Sequence, residues 1–299
     1  AGDKTGSLGV ITLNLPRIAY ISKNIDLEAL KDFKELKEAV SKLSDSKEIY
    51  FKILDYFSDL SRDSLLIKRE AVEESLEKGL LPYTKRYLGD LNSHFNTLGV
   101  NGGHEACLIQ LDAGIDSDDG KIFMVETLEF LLEKCSQYQT ENKNLLWNLE
   151  ATPAEGASTR FAKLDKKQFE NIITGAGTGG DYYTNSTQLP DDFTDNIYEV
   201  FDHQNNLQPL YTSGTVQHIY MNEPVHNWKT VESLVKKLFT NFKLPYLSIS
   251  ADITFCPICG KLPTKKDYCD NYHDPNEVER LIEEGILNKE DVIEGGETQ

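Results

Sequence analysis

Hydrophobic residues recur at helical spacing along three long stretches of the chain. In residues 26–43 and 48–79 they fall every three or four positions, and residues 119–137 repeat the pattern. This period places apolar side chains on one face of a helix, so the pattern predicts three amphipathic helices.

Other apolar stretches are short and rich in β-branched residues, which favours strands. Residues 9–22, punctuated by Pro16, are predicted to form a buried strand running into a turn, and residues 145–151 a short buried strand. Strands at 213–220 and 246–250 flank a helix predicted at 228–242. Repeated alternation of strand and helix favours an α/β fold with both sheet faces covered.

Charge and composition narrow the classes of function. Hydrophobic residues make up 39% of the 299 residues, and 31 Lys and Arg against 49 Asp and Glu give a net charge of −18. So acidic a surface argues against a nucleic-acid polymer as partner, although a local pocket for one nucleotide is compatible with it. With neither a membrane-length apolar run nor a signal-peptide pattern, the expected compartment is the cytoplasm.

A single cysteine, Cys107, follows a glycine-rich stretch that includes Gly99, Gly102 and Gly103. Glycines bend the backbone into conformations closed to other residues, so the stretch is predicted to be a turn that presents the thiol at a loop tip. The alternative is a small core residue, since free cysteines are often buried. Cys135 lies on the apolar face of the helix predicted at 119–137 and is expected to be a core thiol.

Two loops carry further candidate chemistry. The strand predicted at 145–151 leads into a Pro/Gly loop with Glu155 and Ser158, which is typical of α/β proteins that deliver polar groups to a site, although a capped turn would look the same. A glycine cluster at 174–180 lacks the lysine of a P-loop and alone is weak evidence for phosphate binding.

Three cysteines near the end of the chain have the spacing of metal ligands. Cys256 and Cys259 form a C-x-x-C pair followed by glycine, and Cys269 comes later. Zinc is the expected metal because it favours sulfur ligands in closed four-coordinate sites. A second C-x-x-C would place its cysteine at Tyr272, and the neighbouring His273 could complete a Cys3His site. Unliganded thiols or a redox pair are the alternative.

Six motifs in order resemble the anaerobic ribonucleoside-triphosphate reductases, the oxygen-sensitive glycyl-radical class of ribonucleotide reductases. The resemblance spans essentially the whole chain. The motifs are Thr5-Gly-Ser-Leu-Gly-Val-Ile-Thr-Leu-Asn-Leu-Pro-Arg17, the Glu-Ala-Cys107 loop, Leu149-Glu-Ala-Thr-Pro-Ala-Glu-Gly156, Tyr182-Tyr-Thr-Asn-Ser186, Ser213-Gly-Thr-Val-Gln-His218 and Cys256-Pro-Ile-Cys-Gly260.

The resemblance implies a fold, a reaction and site residues. The fold would be a portion of a ten-stranded α/β barrel of the glycyl-radical enzyme type, and Cys107 would match the cysteine that becomes a thiyl radical. Such a radical removes the 3′ hydrogen of a ribonucleoside triphosphate, and the 2′ hydroxyl leaves as water. Formate or a thiol system would supply the electrons.

The resemblance also implies roles for several other side chains. Glu155 would handle protons near the 2′ hydroxyl and Ser158 would contact the nucleotide. Tyr183 and Asn185 would line the substrate cavity. Backbone amides in the glycine cluster would cradle phosphate, because successive N–H groups form anion-binding concavities; the positions concerned are Gly177 and Gly179.

Two domains follow from the resemblance: the second half-barrel at 1–250, and a zinc-ribbon-like knot at 251–299 that stops before the glycyl-radical loop. The glycyl radical would lie outside this chain, made by an iron–sulfur, S-adenosylmethionine-dependent activating enzyme. Further expected partners are the rest of the reductase polypeptide and a second subunit in a homodimer, so this piece alone is expected to be inactive. The alternatives are a non-catalytic zinc-binding remnant or interaction protein and a glycyl-radical lyase.

Overall fold

In a computed structural model of the protein, the residues described are 4–151, 154–190, 193–194, 196–221, 227–251, 256, 258–259 and 273–285. They belong to two compact units, residues 1–216 with 243–245 and residues 217–242 with 246–299. No helix within these described ranges is long and apolar enough to cross a membrane. The division predicted at residue 250 stays a prediction.

The strands are β1 (Gly6–Asn14), β2 (His94–Asn101), β3 (Leu146–Glu150), β4 (Gln217–Met221) and β5 (Leu247–Ala251). The α-helices are α1 (Leu15–Asn24), α2 (Lys34–Val40), α3 (Ser46–Glu77), α4 (Pro82–Leu88), α5 (Gly103–Leu111), α6 (Asp118–Glu141), α7 (Glu155–Gln168), α8 (Ile197–Gln204), α9 (Trp228–Asn241) and α10 (Pro275–Glu283). This content confirms the predicted α/β class.

The first unit is built on a parallel three-stranded sheet in the order β1-β2-β3. One face of the sheet packs into the hydrophobic core, where Leu13, Leu98, Val100 and Leu149 are almost completely buried. The long helices α3 and α6 contribute to the same core and confirm the helices predicted at 48–79 and 119–137. Cys135 on α6 is 5% exposed, and burial raises the pKa of its thiol to about 12, as expected for a core cysteine.

The prediction of a strand running into a turn over residues 9–22 is wrong in its second half, which is a helix. The strand β1 ends at Asn14 and the chain turns directly into α1, whose first turn contains Pro16. The Asn14 side chain accepts the Arg17 N–H at 3.1 Å and caps the helix. Proline is favoured in a first helical turn because its missing N–H would have no helical partner there, so the apolar residues after Pro16 belong to a helix.

The helix predicted at 26–43 is much shorter than its hydrophobic period suggests. Only Lys34–Val40 is helical. Before it, the Asp26 carboxylate accepts the N–H groups of Glu28 and Ala29, each at 3.1 Å, and holds a turn. Such local hydrogen bonds compete with helix formation, and tertiary packing then buries Leu30 without a helix around it.

The glycine-rich stretch before Cys107, predicted to be a turn, contains the end of a strand and the start of a helix. The strand β2 ends at Asn101, and α5 begins two residues later at Gly103. Gly102 connects them in the left-handed region, with φ of +80°, and a Cβ there would lie 2.3 Å from Pro16 Cγ. The glycines therefore turn the chain sharply from the sheet into α5.

The second unit contains the parallel pair β4 and β5. These strands confirm the ones predicted at 213–220 and 246–250, with shifts of one to four residues at their ends. The helix α9 lies between them in sequence, where a helix was predicted at 228–242. A strand, a helix and a second parallel strand form the βαβ arrangement that parallel pairing requires.

Candidate functional site

The three-stranded sheet has a polar face opposite its core face. In a sheet, side chains two positions apart on a strand share a face, and residues in register on neighbouring strands do so as well. The register pairs Asn14 with Asn101, Thr97 with Asn148 and Gly99 with Glu150. From the Val10–Thr97 pair to the carboxyl ends of the strands, every residue on this face except Val10 is polar or glycine; Phe95 and Leu146 lie on the same face nearer the other end of the sheet. The polar part of the face, with Val10, consists of Val10, Thr12, Asn14, Thr97, Gly99, Asn101, Asn148 and Glu150.

Several of these polar side chains are buried without a complete set of partners. Asn101 is fully buried, and neither its oxygen nor its nitrogen has a hydrogen-bond partner among the described residues. The Oδ1 of Asn148 is also unpaired. Burial raises the pKa of the Glu150 carboxyl at the end of β3. Ligands of α/β sheets bind outside the carboxyl ends of the strands, so this edge is the candidate site.

A buried carboxylate, Asp165 on α7, ties the edge of the sheet together. Its Oδ2 accepts the Asn14 Nδ2–H at 2.8 Å, and its Oδ1 accepts the Arg17 Nε–H at 2.7 Å and a further hydrogen bond from Arg17 Nη2. The Tyr183 hydroxyl donates to it at 2.8 Å. The carboxylate is fully buried, and its charge is balanced by the guanidinium of Arg17. Asp165 thus binds the end of β1, the start of α1 and Tyr183 through a single side chain.

A second buried carboxylate, Glu105 on α5, binds the segments around Ala176 and Thr184 to α5. It is fully buried and accepts the Ala176 N–H at 2.9 Å, the Thr184 N–H at 2.9 and 3.0 Å and the Thr184 hydroxyl at 2.9 Å. A carboxylate has lone pairs for all of these donors. Residues 174–186 are therefore fixed by a side chain from a helix far away in the sequence.

The phosphate cradle expected from the glycine cluster is not formed. The N–H groups of Gly177 and Gly179 both donate to the Thr174 carbonyl oxygen, at 3.1 and 3.0 Å. The N–H of Thr178 donates to the Gly175 carbonyl oxygen at 3.0 Å. An anion needs successive N–H groups that point outward, and these amides point into their own turn. The assignment of Gly177 and Gly179 as phosphate ligands is accordingly corrected to a self-bonded turn.

Two predicted substrate residues meet in the structure. The Ser158 hydroxyl donates to the Tyr183 carbonyl oxygen at 2.7 Å and accepts the Tyr183 N–H at 2.9 Å. Asn185 follows two residues later, and its Oδ1 accepts the Ser186 hydroxyl at 2.8 Å. Glu155 is the first residue of α7, but its side chain lies outside the described part of the chain. Ser158 thus positions the backbone that carries Tyr183.

Cys107 does not stand at a loop tip, and that expectation is wrong. It lies inside α5, its exposure is 0%, and its thiol donates to the Gly120 carbonyl oxygen at 3.5 Å. Burial, with smaller contributions from the Asp116 and Glu105 carboxylates, raises the pKa of the thiol. These surroundings are those of the core cysteine that the sequence also allowed.

In the second unit, Cys256, Cys259 and His273 form a cluster whose ligand atoms all lie within 4.8 Å of one another. Cys256 Sγ and His273 Nε2 are 3.2 Å apart. Two sulfurs and an imidazole nitrogen at this spacing could hold a metal ion such as zinc. The remaining predicted ligand, Cys269, lies outside the described residues.

The comparisons with known proteins agree with this architecture. The family model for "Anaerobic ribonucleoside-triphosphate reductase" matches residues 1–282. The chain belongs to the anaerobic ribonucleoside-triphosphate reductase family. The reductase of Haemophilus influenzae is 27% identical over 265 residues, and that of bacteriophage T4 24% over 266 residues. Each alignment covers 86% of this chain, but only 35% and 40% of those reductases.

A solved structure shares the fold. The anaerobic ribonucleotide reductase of Thermotoga maritima in complex with dATP and CTP superposes with a TM-score of 0.68 at 24% identity, covering 87% of this chain and 41% of that one. This chain therefore spans well under half the length of the reductases it matches, and it shares with them a parallel α/β architecture.

Sequence reasoning missed the residues that organise this edge, namely Asn14, Arg17, Asn101, Glu105 and Asp165. A signal existed for Asn14, since an asparagine two residues before a proline is typical of a capped helix start. Asp165 looks like any polar position on an exposed helix face. Only its contacts with residues from distant elements distinguish it.

Proposed function

We propose that this chain is part of the catalytic subunit of an anaerobic ribonucleoside-triphosphate reductase and that the polar face of its three-stranded sheet faces the nucleotide. The observation that carries the proposal is that face, which ends at the carboxyl edge of a parallel sheet in a chain of this family. We further propose that its two parallel sheets belong to the family's ten-stranded barrel.

The proposed reaction is radical reduction at the ribose. A thiyl radical takes the 3′ hydrogen and returns it at the end, the 2′ hydroxyl takes up a proton and leaves as water, and formate or a thiol system supplies two electrons that, with a second proton, complete the reduction at C2′. The contribution of this chain is to orient the nucleotide and to exclude water, because both rigid positioning and a dry site favour such intermediates. The network of Asp165, Asn14 and Tyr183 would provide the rigid edge.

The residue roles implied by the resemblance enter this proposal with different support. Tyr183 is supported by its place beside Asp165, and Asn185 by its closeness in sequence to Tyr183. Glu155 opens α7 next to the sheet edge, so a role in proton transfer suits its position in the chain. The hydroxyl of Ser158 is occupied by the backbone of Tyr183, which supports a positioning role.

The test is activity of the complete polypeptide that contains this chain. After anaerobic treatment with a radical-generating S-adenosylmethionine enzyme, we expect an organic radical signal by electron paramagnetic resonance and conversion of ribonucleoside triphosphates to 2′-deoxy products. This chain by itself should give neither. A full radical signal without any deoxynucleotide product would contradict the proposed reaction. The protein would then catalyse a different glycyl-radical reaction.

For Cys107, the radical role remains a prediction, and its burial supports the core role instead. We expect Cys107→Ala in the complete reductase to keep most of its turnover and to lose about 1–2 kcal/mol of stability, the cost of a small cavity. Cys135→Ala, which removes the other buried thiol of the first unit, should behave alike. Complete loss of turnover only in Cys107→Ala, with an intact radical signal, would establish Cys107 as the thiyl site.

We also propose that zinc occupies the cluster of Cys256, Cys259 and His273, with Cys269 as a further ligand. Metal analysis after dialysis should find one zinc per chain in the unmodified protein. Cys256→Ser and His273→Ala should each lower this ratio, whereas Cys135→Ala should not. Full zinc content in His273→Ala would show that the imidazole is not a ligand. The proposed role is structural, because a zinc site of this kind can supply much of the folding free energy of a small unit.

A further inference from the structure

The fully buried Asn101 has an unusual lack of partners. It is the last residue of β2, the central strand, and both polar atoms of its side chain lack a hydrogen bond within the described part of the protein. Buried polar groups are almost always paired, because an unpaired one loses its contacts with water and gains nothing in return. A carboxamide in this state destabilises the ligand-free fold.

Two nearby asparagines show that partners are available to a carboxamide in this sheet. Asn96, on the opposite face of the same strand, accepts from Arg69 Nε at 3.2 Å and donates to the Leu146 carbonyl oxygen at 3.4 Å. Asn14, in register with Asn101 on β1, donates to Asp165 and accepts from the Arg17 N–H. Of these three side chains, Asn101 alone is left with both its oxygen and its nitrogen unpaired.

We infer that the carboxamide of Asn101 binds the hydroxyl groups of the substrate ribose, an inference that rests on the proposed reductase function. Asn101 lies on the polar face and at the carboxyl edge of the strands, where ligands of parallel sheets bind. Its neighbour on that face, Gly99, contributes no side chain.

The chemistry of the amide selects the kind of ligand. Its oxygen accepts one hydrogen bond and its NH2 group donates two, so a vicinal diol, in which each hydroxyl both donates and accepts, satisfies both ends. A phosphate would satisfy only the NH2 group, and it would approach the Glu150 carboxyl on the same face. An apolar group would leave both polar atoms of the amide unpaired. A ribose diol is therefore the best match.

Asn101→Leu and Asn96→Leu in the complete reductase separate this role from a structural one. Leucine has a similar volume and no polar atoms. Asn101→Leu should raise the melting temperature of the ligand-free protein, because it removes an unpaired buried amide, whereas Asn96→Leu should lower it. This opposite sign follows directly from the hydrogen bonds of the two residues.

Binding should then change only for ligands that carry the diol. Asn101→Leu should weaken binding of a ribonucleoside triphosphate about tenfold, as expected for two lost hydrogen bonds. It should leave binding of the 2′,3′-dideoxy analogue unchanged. Asn96→Leu should keep the wild-type ratio between the two ligands.

The outcomes that contradict the inference are distinct from a failure of the proposed function. If Asn101→Leu lowers the melting temperature, or if it preserves the wild-type preference for the ribonucleotide, Asn101 is a structural residue and the inference is wrong. If the unmodified reductase binds neither nucleotide, both the inference and the proposed function are wrong.

Discussion

Asp165→Ala is expected to lower the free energy of unfolding by about 3 kcal/mol, the range found when one partner of a buried ion pair is removed. The substitution leaves the Asn14 amide and the Tyr183 hydroxyl without their acceptor inside the protein. The Arg17 side chain is partly exposed, so its guanidinium can turn toward water. Loss of the carboxylate therefore costs Arg17 less than it costs the Asn14 amide or the Tyr183 hydroxyl. The loss should be visible in urea unfolding and as reduced substrate binding in the complete reductase.

A matched control separates burial from charge. Asp181 pairs with Lys166 at 2.7 Å, but both side chains are substantially exposed. Because exposed ion pairs contribute little to stability, Asp181→Ala should leave the unfolding curve unchanged. The stability lost in Asp165→Asn should lie between the losses in Asp165→Ala and Asp181→Ala, because asparagine keeps the shape of the side chain but not its charge. Equal unfolding curves for Asp165→Ala and the unmodified protein would contradict the role given to this carboxylate.

Glu105→Ala is expected to cost a similar amount, about 3 kcal/mol, because several buried donors lose their acceptor at once. Two of these donors are backbone N–H groups, of Ala176 and Thr184, which have no means of turning toward water. Hydrogen exchange should report the change locally, with loss of protection at these two amides.

Glu48 provides the comparison for Glu105. Both lie in the first turn of a helix, and Glu48 is exposed. Glu48→Ala should leave protection at Ala176 and Thr184 unchanged. Glu105→Gln should retain part of the protection, because its remaining oxygen still accepts while its NH2 group faces the other donors. If both amides stay protected in Glu105→Ala, residues 174–186 are held by other contacts.

Local patterns in the sequence were sufficient for much of the scaffold. The periods that predict α3 and α6 depend on residues three and four positions apart, and the apolar run that predicts β3 is equally local. The metal cluster belongs here as well, because the spacing of Cys256, Cys259 and His273 suggested a common site, and the structure brings the three together. Motifs in order also sufficed for the family.

The same local patterns failed where tertiary contacts outweigh them. The glycines before Cys107 suggested a loop, yet the close approach of Gly102 to Pro16 turns the chain into α5 and buries the thiol. The glycine cluster suggested a phosphate cradle, yet its amides bond within their own turn. In both cases glycine permits several conformations, and packing against distant residues selects one.

The sequence by itself determined the α/β class, the long helices, the cysteine and histidine cluster and the family. Only the tertiary structure decided which side chains form the candidate site. The polar face requires the register of three strands, and Asp165 bonds to Asn14 across 151 positions of the chain. Hydrophobic periodicity is a property of neighbouring residues, whereas the pairing of a buried carboxylate or amide depends on which distant groups the fold brings within hydrogen-bonding distance.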